Sequence, residues 1–225
     1  MKDKDKKQQV KDKSRVSNFA EVLTSKREVL DMLNLVNSET SRLDSRFLEP
    51  ACGDGNFLIE VLNFKLKVLE ENYSKNQYEF EKYSIQVFTS IYGIDILEDN
   101  IISARERLFN QFLELYEKKF KSFTNLKFLE CIKYILELNL VHADALTLKK
   151  TKNDKFIIFS EWSMINDKMK RRDFEFKNLI DYAPFEKGTL FSDSGDEVII
   201  PSPIKEYPLT HFLDIIPKNG NKKQL

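Results

Sequence analysis

The stretch Phe47-Leu48-Glu49-Pro50-Ala51-Cys52-Gly53-Asp54-Gly55-Asn56-Phe57-Leu58 decides the fold. It predicts a short apolar strand that ends in an acid, then a glycine loop, then the start of a helix. Gly53 and Gly55 can adopt a positive φ and let a ligand approach the backbone without a Cβ in the way. Asn56 is expected to cap the helix. The order places a ligand-binding loop and a carboxylate at the C-terminal edge of a sheet, where open α/β folds bind their ligands.

The composition is that of a globular chain with a large core. The 225 residues are 41% hydrophobic and 32% charged, and six glycines and six prolines argue against a turn-rich all-β fold. Acidic and basic residues both number 36. The net charge of zero therefore gives no whole-chain argument for nucleic-acid binding and leaves only a local patch to consider.

Cys52 and Cys131 lie in apolar contexts without metal-ligand spacing, which favours a reducing compartment over a disulfide scaffold and predicts no metal. No apolar run reaches the ~20 residues of a membrane span, and the N-terminus has no apolar secretion signal. We expect a cytoplasmic protein without a membrane partner.

Three regions are expected along the chain. Residues 1–15 contain seven basic and three acidic residues and predict a disordered basic arm. Residues 16–216 form the domain, and residues 217–225 a flexible tail.

Within the domain, strands alternate with helices. Helices are predicted around residues 29–36, 57–69, 99–121 and 126–138, with polar linkers at 37–44 and 70–84. Strands are predicted at residues 47–49, within 85–95 and best at 90–95, at 140–144 and at 156–159, with an uncertain edge strand at 198–200. The fully apolar run at 156–159 is typical of a central parallel strand. The alternation predicts an α/β fold with a parallel, doubly wound sheet.

The main chemical signal is a set of acids, Glu49, Asp95 and Asp144, each of which closes an apolar run. Parallel strands align their C-terminal ends, so we expect the three carboxylates to line one crevice. An ionised carboxylate accepts two hydrogen bonds, which suits a vicinal ribose diol at Asp95.

A nicotinamide dinucleotide is disfavoured at this crevice. Its fingerprint needs a third glycine where this chain has Leu58, and an acid ~20 residues further on, whereas Asp95 lies 40 residues after Gly55. Acids also repel a pyrophosphate. A nucleoside with a positive charge, such as the sulfonium of S-adenosylmethionine, fits better.

Residues 47–58 resemble the first cofactor motif, L-E-P-A-C-G-x-G-x-F-L, of the adenine-specific DNA methyltransferases that accompany restriction enzymes. Residues 20–25 are similar to that family's G-E-x-x-T-P segment, with Ser25 in place of proline. Residues 92–96, followed by Ser103-Ala104-Arg105, look like the second motif, and residues 141–146 like the third. The resemblance covers about residues 16–160.

The resemblance implies a Rossmann-like, S-adenosylmethionine-dependent methyltransferase fold, in which helices flank a parallel sheet. A fold shortened on its C-terminal side is an open alternative. It implies that Thr24 contacts the methionine carboxylate, that Asp95 holds the ribose hydroxyls, and that Asp144 accepts from the adenine amine. The implied cofactor-binding residues are Thr24, Glu49, Ala51, Cys52, Gly53, Gly55, Asn56, Phe57, Asp95, Ile96, Asp144 and Ala145.

The catalytic motif of the family is absent. A (Asn/Asp/Ser)-Pro-Pro-(Tyr/Phe) sequence should follow the fourth strand and accept hydrogen bonds from a flipped adenine, but Ser160-Glu161-Trp162-Ser163 stands there. Ser160 or Glu161 could accept a hydrogen bond, and Trp162 could stack on a base or pack in the core. No catalytic residue is assigned.

Other candidates have simpler interpretations. Cys52 is expected to be a small loop residue, because no activating histidine is near it in sequence. His142 is expected to pack in the core. The cluster Lys168, Lys170, Arg171 and Arg172 is interpreted as a solvated face, with DNA contact as the alternative.

Three functions remain open from the sequence. The first is methyl transfer to the adenine amino group in DNA, with an endonuclease or specificity subunit as a further partner. The second is a catalytically inactive cofactor-binding or assembly subunit of a restriction-modification system. The third is a methyltransferase with a non-DNA substrate.

Overall fold

The computed structural model describes residues 24–121, 123–181 and 202–217. The predicted basic arm, the edge strand at 198–200 and residues 218–225 of the tail lie outside these residues. The helices are α1 (Lys26–Leu35), α2 (Asn37–Thr40), α3 (Asn56–Tyr73), α4 (Gln77–Phe88), α5 (Glu98–Phe120), α6 (Leu126–Asn139) and α7 (Phe176–Asp181), with a 3₁₀ helix at Phe212–Asp214. The strands are β1 (Phe47–Glu49), β2 (Ile91–Asp95), β3 (Leu140–Asp144), β4 (Lys149–Lys150), β5 (Ile158–Ile165), β6 (Lys168–Glu175), β7 (Lys205–Glu206) and β8 (Thr210–His211).

The first sheet has four strands in the order β1-β2-β3-β4. β1, β2 and β3 are parallel, as predicted. β4 returns antiparallel along β3, so the sheet is mixed and not purely parallel. The α/β class is confirmed, with the long helices α3 and α5 connecting successive parallel strands.

Helices cover one face of this sheet. Ile91 and Leu140 belong to a large buried cluster together with side chains of α3, α4, α5 and α6. Tyr92, Ile94, Val141 and Ala143 alternate with them and form a smaller cluster with Ile157 and Phe159. The second face is therefore covered by the segment that follows β4.

That segment corrects the prediction of a central parallel strand at residues 156–159. β5 pairs antiparallel with β6 and belongs to a second sheet, to which β7 and β8 also belong. Phe156 forms only an isolated bridge with Lys149. The apolar run is a connection between two sheets, because Ile157 and Phe159 bury their side chains against the first sheet while Ile158 stays partly exposed.

Two linkers also contain helices that were not predicted. The single turn α2 lies in the linker at 37–44, and α4 occupies most of the polar stretch at 70–84 and continues to Phe88. Asn76 caps α4, accepting from the Glu79 N–H at 3.3 Å. Among the described residues, no helix is long and apolar enough to span a membrane.

Candidate acidic crevice at the strand ends

Glu49, Asp95 and Asp144 end three adjacent parallel strands. Phe47, Ile91 and Leu140 pack on the helix side of the sheet. Because side chains alternate between the two faces, the acids two or four residues further along leave the sheet on the same side. All three therefore lie at one edge and on one face.

The strand register spreads the acids along a diagonal. Glu49 is level with Gly93, two residues before Asp95, and Asp95 is level with His142, two residues before Asp144. With a rise of ~3.3 Å per residue and a strand spacing of ~4.8 Å, neighbouring acids are about 8 Å apart at the backbone. An extended ligand is needed to contact all three.

Asp95 holds the glycine loop against the end of β2. Its Oδ2 accepts from the Gly53 N–H at 2.8 Å. Its Oδ1 accepts from the Leu97 N–H at 2.9 Å and from the Asn100 amide at 3.2 Å. The carboxylate is almost fully buried, and these bonds leave about one of its four lone-pair positions. The expected two hydrogen bonds to a ribose diol would therefore require one of the protein donors to move.

The two glycines of the loop have the predicted positive φ, but the helix that follows is not capped by the predicted residue. Gly53 and Gly55 have φ of 53° and 90°. Gly55 occupies the N-cap position of α3 without a side-chain cap, so the prediction that Asn56 caps the helix is wrong. The Asn56 Oδ1 instead accepts from Arg107 Nη2 at 2.9 Å.

Helix α5 supports the loop from behind. Arg107 Nη1 donates to the Asp54 carbonyl at 2.6 Å and pairs with the Asp54 carboxylate at 2.8 Å. A Cβ on Gly55 would lie 3.2 Å from the Ala104 Cβ. The short side chain of Ala104 thus lets the loop approach α5, and Arg107 holds it there.

Gly93, in the middle of β2, is a structural requirement that the sequence analysis did not identify. A Cβ there would lie 3.0 Å from both Cys52 Sγ and Leu58 Cδ1. Its only sequence signal is a glycine inside a strand, which often marks a close approach of other atoms. Here it lets the loop and the first turn of α3 pack directly on β2.

The loop environment is electrostatically negative. Burial raises the pKa of the Glu49 carboxyl. Burial, with the negative charges of Asp95 and Glu49, raises the pKa of the Cys52 thiol. A thiol held protonated is a poor nucleophile, which agrees with the interpretation of Cys52 as a loop residue.

At the end of β3, the Asp144 carboxylate accepts from the Leu146 N–H at 2.8 Å and from the Thr147 hydroxyl at 3.1 Å. Each of its oxygens can accept one further hydrogen bond. Ala145 packs beside the smaller buried cluster, and Ile96 is exposed after the end of β2.

His142 is half-buried and hydrogen-bonded, which corrects its interpretation as a packed core residue. Its Nε2 lies 3.0 Å from the Ile96 carbonyl oxygen and 2.8 Å from Thr151 Oγ1. The ring joins the backbone after β2 to the turn after β4.

The remaining implied cofactor residues are less closely assembled. Ser25 caps α1 in a capping box with Glu28, and Thr24 is exposed just before it. Lys26 pairs with Glu60 of α3 at 2.9 Å, which places Thr24 near the first half of α3. Ala51 is exposed in the loop, and Phe57 is half-buried in the first turn of α3.

The residues at the expected catalytic position are engaged within the protein. The Ser160 hydroxyl donates to Asp173 Oδ1 at 2.8 Å. Glu161 pairs with Arg46 at 3.1 Å and with Arg172 at 2.6 Å. Trp162 is buried and donates from Nε1 to the Asn139 amide oxygen at 3.4 Å, so it packs in the core.

The basic cluster at 168–172 is largely neutralised. Arg171 is buried and forms a bidentate pair with Asp173 at 2.7 and 2.9 Å. Arg172 pairs with Glu161, and Lys170 with Glu206 at 2.8 Å. The interpretation as a solvated face is thus wrong for Arg171, and these side chains offer little free positive charge.

A shallow surface depression lies elsewhere, lined by Glu114, Glu117, Lys118, Lys121 and Thr124. It is at the C-terminal end of α5, whereas the acidic crevice is at the N-terminal end of that helix, about 30 Å away along its axis. The depression is lined by residues at one helix end, whereas the acids of the crevice end three adjacent strands beside the glycine loop. Comparisons with protein-family models, with curated proteins and with solved structures found no match to this chain.

Proposed function

We propose that this chain binds S-adenosylmethionine at the acidic crevice and is a relative of the adenine-specific DNA methyltransferases. The observation that carries the proposal is the arrangement of Glu49, Asp95 and Asp144 on one face at three adjacent strand ends, beside a positive-φ glycine loop. The sequence resemblance assigns this same set of residues to that cofactor.

The hydrogen-bonding capacity of the crevice fits such a ligand. Asp144 has two acceptor positions for an adenine amine, and Asp95 has about one for a ribose hydroxyl. Glu49 and Asp95 provide negative charge near the loop for an ammonium or sulfonium group. When bound, S-adenosylmethionine would supply an electrophilic methyl group.

A second candidate function is cofactor binding without catalysis, in an assembly subunit. It is favoured by the engagement of Ser160, Glu161 and Trp162 in internal contacts. Preorganised acceptors supply much of the catalysis in such sites, and these side chains are committed to other partners. We therefore expect little or no methylation of DNA by this chain alone.

Equilibrium dialysis with labelled S-adenosylmethionine tests the binding. Asp144→Asn keeps an oxygen for the Leu146 N–H and removes the charge, so the affinity should fall about tenfold, as for a hydrogen bond to a charged group. Asp154→Asn is the control, because Asp154 is an exposed acid in the turn after β4, where asparagine tolerates its φ of 56°. Equal binding by all three proteins would overturn the assignment.

Transfer of label from S-adenosylmethionine to mixed genomic DNA separates the two candidate functions. Binding of S-adenosylmethionine without methyl transfer to DNA would agree with a non-catalytic assembly subunit. Robust transfer to adenine would rule that candidate out and would require acceptors other than a diproline motif.

A further inference from the structure

Arg107 of α5 makes three contacts with the glycine loop and with the helix start that follows it. Its Nη1 donates to the Asp54 carbonyl at 2.6 Å and lies 2.8 Å from the Asp54 carboxylate. Its Nη2 donates to the Asn56 Oδ1 at 2.9 Å. One planar guanidinium therefore holds the residues on either side of Gly55. Arg107 lies outside the residues 92–96 and 103–105 that resemble the second motif.

The glycine loop needs support from its neighbours because its own backbone is costly to order. Gly53 and Gly55 both have a positive φ, and glycine loses more conformational freedom on folding than any other residue. Asp95 holds the loop from β2 through the Gly53 N–H at 2.8 Å. Arg107 holds it from α5 through Asp54 and Asn56, two residues that Asp95 does not contact.

Arg107 also brings positive charge to a loop that lies among carboxylates. The Asp54 side chain is only 15% exposed, so its carboxylate is poorly solvated. Burial raises the pKa of the Cys52 thiol, and so do three neighbouring charges, those of Asp95, Glu49 and Asp54. The three carboxylates therefore act on the same part of the loop. Removing the cation from a mostly buried ion pair leaves a charge that is costly to keep in place.

We propose that Arg107 is a positioning residue of the acidic crevice, which holds the glycine loop in its binding conformation and offsets the charge of Asp54 without contacting the ligand itself. The proposal rests on the proposed function, because the ligand whose affinity Arg107 would set is S-adenosylmethionine. A ligand that needs an ordered loop binds more weakly in proportion to the fraction of chains in which the loop is ordered.

Equilibrium dialysis of labelled S-adenosylmethionine against the full chain compares the wild type with four variants. Arg107→Met removes the charge and the donors, whereas Arg107→Lys keeps the charge without the planar fork. Asp54→Asn/Arg107→Met removes both charges of the ion pair. The control is Lys119→Met, which removes another cation of α5. Lys119 pairs with Glu70 of α3 at 2.6 Å and lies about 18 Å from Arg107 along the helix.

We expect Arg107→Met to bind S-adenosylmethionine about tenfold more weakly than the wild type, and Lys119→Met to stay within about twofold of it. Arg107→Lys should recover part of the loss, because its ammonium still offsets the charge of Asp54. The double variant should bind more tightly than Arg107→Met alone, because asparagine carries no charge to bury. Recovery on adding a second substitution distinguishes a local charge effect from a general loss of stability.

A second measurement needs no ligand and separates this proposal from the proposed function. The Gly53 N–H is bonded to Asp95 and the Gly55 N–H to the Cys52 carbonyl, so amide hydrogen exchange followed by NMR reports the order of the loop. Arg107→Met should speed the exchange of these two amides about tenfold and leave the amides of β2 and β3 unchanged.

If the wild-type chain binds no S-adenosylmethionine, the proposed function falls, while faster exchange in Arg107→Met would still establish Arg107 as the residue that holds the loop. The proposal is overturned by unchanged exchange at Gly53 and Gly55, by equal binding of Arg107→Met and the wild type, or by a double variant that binds no better than Arg107→Met.

Discussion

At the scale of single residues, Gly93 decides how closely the glycine loop approaches the sheet. A Cβ at this position would meet Cys52 Sγ and Leu58 Cδ1 at 3.0 Å, a separation tighter than nine in ten real Cβ contacts. Side chains at both positions are buried, so neither can swing into solvent. The tight contact sets the position of the loop relative to Asp95.

Gly93→Ala should therefore destabilise the fold by about 1–3 kcal/mol, as expected for overpacking. Chemical denaturation measures the change. Cys52→Ala removes the Sγ, so the double variant should lose less stability than the two single changes together. Wild-type stability in Gly93→Ala would show that the loop is not packed against β2 as described.

Lys65 of α3 holds the segment that leads into β1. It is completely buried, and its Nζ donates to the carbonyl oxygens of Arg42 at 2.8 Å, Leu43 at 3.1 Å and Ser45 at 2.8 Å. The three acceptors match the three N–H groups of an ammonium. Burial nevertheless lowers the pKa of Lys65 to about 7 from the ordinary 10.5.

Because the pKa of Lys65 is lower in the folded chain than in the unfolded chain, the stability of the fold depends on pH. Between pH 7 and 10.5 the unfolded chain retains the Lys65 proton that the folded chain has lost, so the free energy of unfolding should rise with pH across this window. The difference between the wild type and Lys65→Met should increase by more than about 1 kcal/mol from pH 7 to 9 in urea denaturation. A flat difference would show that the three carbonyls keep Lys65 charged.

At the scale of elements, the β5-β6 hairpin is tied to α6 by a buried charge. Arg171 forms its pair with Asp173 and donates from Nη1 to the Tyr134 hydroxyl at 2.6 Å. Its guanidinium lies 4.2 Å from the centre of the Tyr207 ring. One side chain therefore connects the second sheet, α6 and the segment at 202–217.

Arg171→Met should cost about 3–5 kcal/mol, because it leaves the buried carboxylate of Asp173 without its cation. Arg172→Met is the matched control, since Arg172 is partly exposed and its ion pair should contribute less than about 1 kcal/mol. Urea denaturation of both variants checks the difference. Equal stabilities would contradict the structural role assigned to Arg171.

The elements differ in how well the sequence predicts them. The runs that form β1, β2 and β3 are apolar and end in acids, and α5 and α6 show clear helical periodicity, so these elements are confirmed. α4 was missed because charged and amide side chains dominate its first half, while its buried Glu81 is satisfied by Tyr116 and Asn125, which are distant in sequence. Local patterns carry no information about such partners.

The hairpin was missed for a related reason. The apolar run at 156–159 has the composition of a central parallel strand, and only tertiary contacts show that it crosses to a second sheet. Likewise, the sequence predicted acids at strand ends but could not show that the Asp95 carboxylate accepts three hydrogen bonds from other groups of the protein. Hydrogen-bond partners are a property of the fold.

At the scale of the whole molecule, both faces of the first sheet are covered by other elements, and the proposed ligand site lies at the edge of the sheet. Helices α3 to α6 pack on one face of the first sheet, and the second sheet covers the other through Ile157 and Phe159. The C-terminal edge of β1 to β3 remains for ligands, with the acids on its helix side.

The most direct test of the proposed cofactor site is a titration of the isotope-labelled chain with S-adenosylmethionine, followed by two-dimensional amide NMR. We predict that the shifted amides cluster at Gly53, Ile96 and Ala145, while those around the depression at the end of α5 stay unchanged. No shift at millimolar cofactor, or shifts confined to other surfaces, would contradict the proposal.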